Sequence, residues 1–178
     1  MLKEKGIKIN LDEESKCECD HSPHKACPGS KIMDFTDENE NETEESGSRI
    51  SQLRQWPIQL HLVPPNAPYF HKKDIILVAD CVGYSLADFH KDYLKEKSIA
   101  IACPKLDSNL DSYIEKLISL IDNTKINTLT VMIMEVPCCN GLLEIAKKAS
   151  EKASRNIPIK LIVVSIKGKI LREEWVLK

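Results

Sequence analysis

The sequence predicts an α/β fold, a mostly parallel sheet of about four to five strands with covering helices, joined to an irregular Cys/His-rich amino-terminal segment. Three observations predict it. From Asp74 onward, short continuous apolar runs recur, the type expected of strands buried on both faces. Stretches of helical period separate those runs. Almost all hydrophobic patterning lies after residue 48, so residues 49–178 are expected to form the domain, 34–48 an acidic flexible linker and 1–33 the Cys/His-rich segment.

The elements follow in order. Ile58–Val63 (IQLHLV) reads as a short strand closed by the rigid turn chemistry of PPNAP. Asp74–Asp80 (DIILVAD) reads as a buried strand, and Leu86–Lys97 has helical spacing. Ser98–Ala102 (SIAIA) is the next buried strand. Leu110–Asn123 carries apolar residues at Leu110, Ile114, Leu117, Ile118 and Ile121, one stripe of an amphipathic helix. Thr128–Val136 is a third buried strand, Gly141–Ala153 a helix, and Ile159–Ile166 a fourth strand. The Lys167–Gly168 turn leads into a final short strand. Strands alternating with helices give a parallel sheet in Rossmann-like or flavodoxin-like layers. In such open sheets ligands bind outside the carboxyl ends of the strands.

Charge and composition narrow the function classes. The formal net charge of −2 gives no general reason to expect nucleic-acid binding. Seven acids and no base lie between Asp34 and Ser46, a run too polar to bury. No segment approaches the roughly 18 apolar residues of a membrane helix. MLKEKGIKINLDEE has no apolar stretch of the signal-peptide kind, so a cytoplasmic location is expected. Structural disulfides are uncommon there, and the seven cysteines are odd in number, so metal binding or thiol chemistry is expected instead.

The cysteines fall at informative places on this frame. Cys81 directly follows one buried strand, Cys103 directly follows the next, and Cys138 and Cys139 follow the third after a single proline. Parallel neighbours lie about 4.8 Å apart, so thiols from three strand ends can converge on one site. Four soft sulfur ligands suit zinc or an iron–sulfur cluster. Structural zinc more often uses paired CxxC knuckles, and none occurs here. The cluster-ligand set is therefore expected to be Cys81, Cys103, Cys138 and Cys139, with Asn140 and Gly141 opening the next helix beside it. A strained Cys138–Cys139 disulfide or a reactive free thiol is the competing chemistry.

The amino-terminal segment offers a second metal site, with Cys17, Cys19, Cys27, His21 and His24 close together but in no standard zinc-finger spacing. An exposed tail with incidental cysteines is the alternative. His61, on an apolar run, reads as a core histidine, whereas His71 and His90 beside lysines read as surface groups.

Four motifs in order, LRQWPIQLHLVPPNAPYF, ILVADCVGYSLADFH, IACPKLD and MEVPCCNGL, resemble the ferredoxin-associated domain of 4Fe–4S iron–sulfur cluster-binding proteins of anaerobic bacteria and archaea. The resemblance covers roughly residues 50–170. Members commonly carry an amino-terminal CxxCxxCxxxCP run, which this chain lacks; CECDHSPHKACPGS stands in its place. The resemblance implies a 4Fe–4S cluster, a redox partner protein, and electron transfer or redox sensing in anaerobic metabolism. A thiol- or cluster-dependent redox enzyme acting on a small substrate, and a zinc-stabilised interaction module, are the alternatives. No Walker motif, dinucleotide-binding glycine pattern or HExxH supports a named enzyme class. Homo-oligomerisation is left open.

Overall fold

The computed structural model describes residues 33–34 and 50–176. The segment expected to hold Cys17, Cys19, His21, His24 and Cys27, and nearly all of the acidic linker, lie outside the described residues.

A two-residue antiparallel ladder joins β1 (Met33–Asp34) to β2 (Gln55–Trp56). The main sheet has five strands: β3 (Asp74–Ala79), β4 (Ser98–Ala102), β5 (Thr128–Met134), β6 (Ile159–Val164) and β7 (Ile170–Val176). Their spatial order is β4-β3-β5-β6-β7, with the first four parallel and β7 antiparallel at the edge. The expected α/β class and mostly parallel sheet are thus present.

Sequence explains the order of burial. β3 and β5 are continuous apolar runs and occupy inner positions, covered on both faces over nearly their whole length. β7, with two glutamates and an arginine, can only be an edge strand. Helices α2 (Leu110–Asp122) and α3 (Asn140–Lys152) pack on each other, and α3 also packs on β5. The buried stripe of α2 is Tyr113, Ile114, Leu117, Leu120 and Ile121. It is rotated from the expected stripe, because Tyr113 is drawn in by a hydrogen bond described below, and Leu110 and Ile118 are only half-buried.

Two expected elements are corrected. Ile58–Val63 is not a strand: Gln59 makes one parallel bridge to Ile101, then the chain turns, with Leu62 and Val63 N–H both donating to the Gln59 carbonyl. Leu60 and Val63 are buried while Leu62 is exposed, the spacing of a turn rather than of an alternating strand. The Lys116 ammonium fixes this turn by donating to the carbonyls of Leu60, His61 and Val63. His61 is consequently exposed rather than in the core, its ring 4.5 Å from that of Tyr113.

The expected helix over Leu86–Lys97 is likewise broken into pieces. A single helical turn, α1 (Val82–Ser85), ends at an extended Leu86, and a π-helical turn follows at His90–Leu94. The wide turn brings Phe89 and Leu94 into the core together, whereas an unbroken helix would start too far along to cap the end of β3.

Gly168, in the β6–β7 turn, has φ +74°, and a Cβ there would collide with the Ser85 carbonyl oxygen. This close approach presses the turn against α1, so the carboxyl ends of β3 and β6 share one rim. Among the described residues no helix is long and apolar enough to cross a membrane.

Candidate functional site

The parallel register brings the strand ends level. Ala79 of β3 pairs with Ala102 of β4, and the Asp80 N–H donates to the Ala102 carbonyl at 3.3 Å. The chain then leaves the sheet: Cys81 precedes α1, and Cys103 opens a tight turn. β5 ends at Met134, and Glu135 N–H still bonds to Val164 before the chain departs. Pro137–Cys139 form one 3-10 turn that doubles back and runs directly into α3. Pro137 suits the first position of such a turn, since it has no N–H to leave unpaired.

The four strand-end cysteines are free thiols, with Cys81 and Cys138 exposed, Cys103 half-buried and Cys139 buried. Cys139 is the centre of a thiol group. Burial pushes its thiol up; a hydrogen bond with the Met134 backbone pulls the other way, and the neighbouring Cys138 and Cys81 add to the rise. Cys139 is therefore close enough to sense charge on its neighbour Cys138 and on Cys81, which stands at the end of a different strand. Cys103 sits one loop over on the same edge. Its following residue, Pro104, lies against the amino end of α3, where a Cβ on Gly141 would be 3.2 Å from the Pro104 Cβ. Among the described residues, no three His, Cys, Asp or Glu side chains are placed to hold one metal ion.

Behind Cys103 lies a polar device built on Asp107, a residue the sequence places beside the strand-end cysteines, and on Tyr113, which sequence reasoning did not name. Asp107 Oδ2 accepts from the Cys103 backbone N–H at 2.8 Å and from the Tyr113 hydroxyl at 2.7 Å. Asp107 N–H in turn donates to the Cys103 carbonyl at 2.8 Å. Burial first, and then the bond to Asp107, hold the Tyr113 hydroxyl proton well above the usual phenol range. Asp80 faces this pair. Burial and the nearby Asp107 charge raise its carboxyl, a hydrogen bond with Gln59 opposes them, and its Oδ1 is buried without a hydrogen bond. Asp80 and Asp107 thus belong to the framework behind the strand-end cysteines.

Asp107→Ala is expected to leave two buried donors without their acceptor, at a cost of about 1–3 kcal/mol for each donor. A urea titration with unchanged slope checks the loss. Faster modification of Cys103 by a thiol reagent, with Cys139 unaffected, checks that the effect is centred on the β4 loop.

Exposed apolar side chains rim this edge. Tyr84 follows Cys81, Leu106 follows Cys103, and Ile166 follows β6; their exposures are 95%, 84% and 67%. A cleft of about 440 Å³ runs beside the same edge, lined by Met134, Asn140, Leu143, Val163, Leu171 and Arg172 among others. The rim had one sequence signal: Leu106 is a lone apolar residue between Lys105 and Asp107, in a loop where nothing requires one.

Comparison with known proteins adds the following. A family model described as a Rossmann-like domain matches residues 67–178. An uncharacterized protein of Archaeoglobus fulgidus is 28% identical over 121 residues, 68% of this chain and 84% of the relative. No solved structure matches. The resemblance to a ferredoxin-associated domain of 4Fe–4S proteins is overturned by the match to the Rossmann-like family. Three of the four motifs behind it are ends of the parallel strands with the turns that follow them, and the first, Leu53–Phe70, precedes β3.

Proposed function

Because this chain belongs to the Rossmann-like domain family over residues 67–178, whose open sheets bind ligands at the carboxyl edge, we propose that its working site is the strand-end thiol group and that it is an iron–sulfur cluster-binding protein of electron transfer or redox sensing. The observation that carries this reading is the grouping of Cys81, Cys138 and Cys139 from two adjacent strands, with Cys103 on the neighbouring strand end.

The donor set suits the group. All four residues are free thiols, the soft ligands that iron–sulfur clusters select. A cluster takes one thiolate per iron, so its ligands need not meet at one centre. A single zinc ion needs several donors at one point, within about 2.3 Å for sulfur, whereas these cysteines come from three separate strand-end loops.

Each residue has a distinct task. Cys81 and Cys138 face solvent and admit the incoming group, while Cys139 holds it from the buried side. The amino end of α3, immediately after Cys139, favours negative charge on the sulfurs. Asp107 fixes the β4 loop and hence the reach of Cys103. A bound cluster supplies a one-electron couple at this edge. Tyr84, Leu106 and Ile166 offer an apolar rim for a redox partner protein.

A second reading, a thiol- or cluster-dependent redox enzyme for a small substrate, is favoured by the cleft that reaches Asn140, directly after Cys139. Iron, sulfide and zinc are to be measured in protein purified without oxygen. Iron with matching sulfide is expected; zinc alone, or no metal, rejects the cluster. Ligand-induced change in the cluster's visible spectrum favours the enzyme over the carrier.

A further inference from the structure

The two outer edges of the main sheet are finished differently. The outer edge of β4 is covered: Gln59 bridges to Ile101, the Leu60 N–H donates to the Ile101 carbonyl, and the Ile101 N–H donates to Ile58. The outer edge of β7 has no strand against it among the described residues. Natural edge strands are commonly protected by proline, by charges, lysine above all, or by bulges. Residues 170–176, ILREEWV, contain no proline or lysine; their charges are Arg172, Glu173 and Glu174, and a bulge lies near their start. They also carry three exposed large apolar side chains, Ile170 at 37%, Leu171 at 55% and Trp175 at 51%.

The order of residues on β7 is self-complementary. We propose that this edge pairs antiparallel with β7 of a second copy of the chain, about a two-fold axis through Glu173, making one continuous sheet of ten strands from two five-stranded halves. A two-fold perpendicular to a sheet must pass through a residue, because only then do opposed side chains share a face. Arg172 already bonds Glu174 of its own chain, and centred on Glu173 this pair lies reversed against the same pair of the second copy, so each Arg172 also stands opposite a Glu174, twice. Opposite charges so placed support pairing, and like charges oppose it. Past the bulge at Leu171, the apolar residues Ile170 and Leu171 lie toward Trp175 and Val176 of the copy, again twice. Glu173 meets its own copy, but each Glu173 is already neutralised by Lys160 of β6. The ladder with β6 is irregular only between Val163 and Val164, so Arg172–Val176 present a regular edge.

This register distinguishes a second copy from an unrelated peptide strand. A peptide would need only open backbone groups, whereas the copy also satisfies the charge order and covers both apolar ends. The pairing places the second copy beside Leu171 and Arg172, two residues of the wall of the cleft described above. It does not depend on what the thiols bind.

The test uses the full chain in light scattering and sedimentation. Wild type is expected at the mass of two chains, and Arg172→Glu at the mass of one, since it sets Glu against Glu174 of the copy. The double variant Arg172→Glu with Glu174→Arg is expected to restore the dimer. Glu173→Cys supplies a check that does not rely on disruption. On the axis, the two Cα atoms of an antiparallel pair are about 4.5–5.5 Å apart, within the roughly 4.4–6.8 Å that a disulfide spans. Mild oxidation is expected to give an inter-chain product absent from wild type and from Glu174→Cys. A wild-type monomer at every attainable concentration overturns the proposal. So does a dimer indifferent to Arg172→Glu, or equal crosslinking by the two cysteine variants.

Discussion

Cys139→Ser, purified without oxygen, is expected to lack the iron and sulfide that the proposed cluster brings to the wild-type protein, while keeping the secondary structure of the fold. The change is nearly isosteric, and the position is the amino-terminal boundary of α3, where the thiol makes no capping hydrogen bond that the helix would lose. The helix should therefore persist, as far-UV circular dichroism can check. Ligation should not. A serine oxygen is a hard donor, and the buried side of the site would be left without its sulfur. Loss of an outer-shell partner already costs about 10–100-fold in metal affinity, and loss of a direct ligand should exceed it. Cys138→Ser, beside it and exposed, identifies which of the adjacent pair binds. Iron content unchanged in Cys139→Ser would remove this residue from the site.

The largest stability effect is expected from Leu77→Ala. Leu77 is fully buried at the middle of β3, paired with Ala100 on one side and Val131 on the other. With a small Ala100 beside it, the leucine fills space that no neighbour can reach. Truncation therefore removes transfer energy and leaves a cavity, for a cost of about 2–5 kcal/mol. The corresponding fall in Tm is on the order of 10 °C. Because β3 carries Cys81 at its end, the same variant should also weaken cluster retention on warming. A loss below about 1 kcal/mol would mean that the site collapses around the smaller side chain.

What the sequence made legible was set by how local each feature is. β3, β4, β5 and β6 are runs of apolar residues bounded by polar ones, and nothing in tertiary structure competes with that pattern. Their parallel direction follows from the helices between them. Cys81, Cys103, Cys138 and Cys139 could therefore be assigned to one edge from counting alone. Features made by contacts across the chain were not legible. Ile58–Val63 has strand composition, but its course is fixed by Lys116 of α2, more than 50 residues away. Leu86–Lys97 has helical spacing, yet the need to cap β3 and then place Leu94 breaks it.

The Asp107–Tyr113 pair was hidden for a related reason. The two residues meet only because Asn109, at φ 54°, turns the chain through the left-handed region before α2 begins. Helical spacing puts Tyr113 at the border of the apolar stripe, three residues after Leu110 and four before Leu117. Once the carboxylate of Asp107 is beneath it, its hydroxyl has a partner and the ring can be buried completely. The electrostatic link between Cys139 and Cys81 was likewise beyond counting, because it depends on how sharply Pro137–Cys139 double back.

Electron paramagnetic resonance of the anaerobically purified, chemically reduced protein measures the central claim most directly. Gathered thiols holding an iron–sulfur cluster predict a signal that appears on reduction in wild type, and is lost when Cys81 or Cys139 is replaced by serine. A sample silent in both redox states, with no acid-labile sulfide, would mean that these four sulfurs share an edge without sharing a ligand.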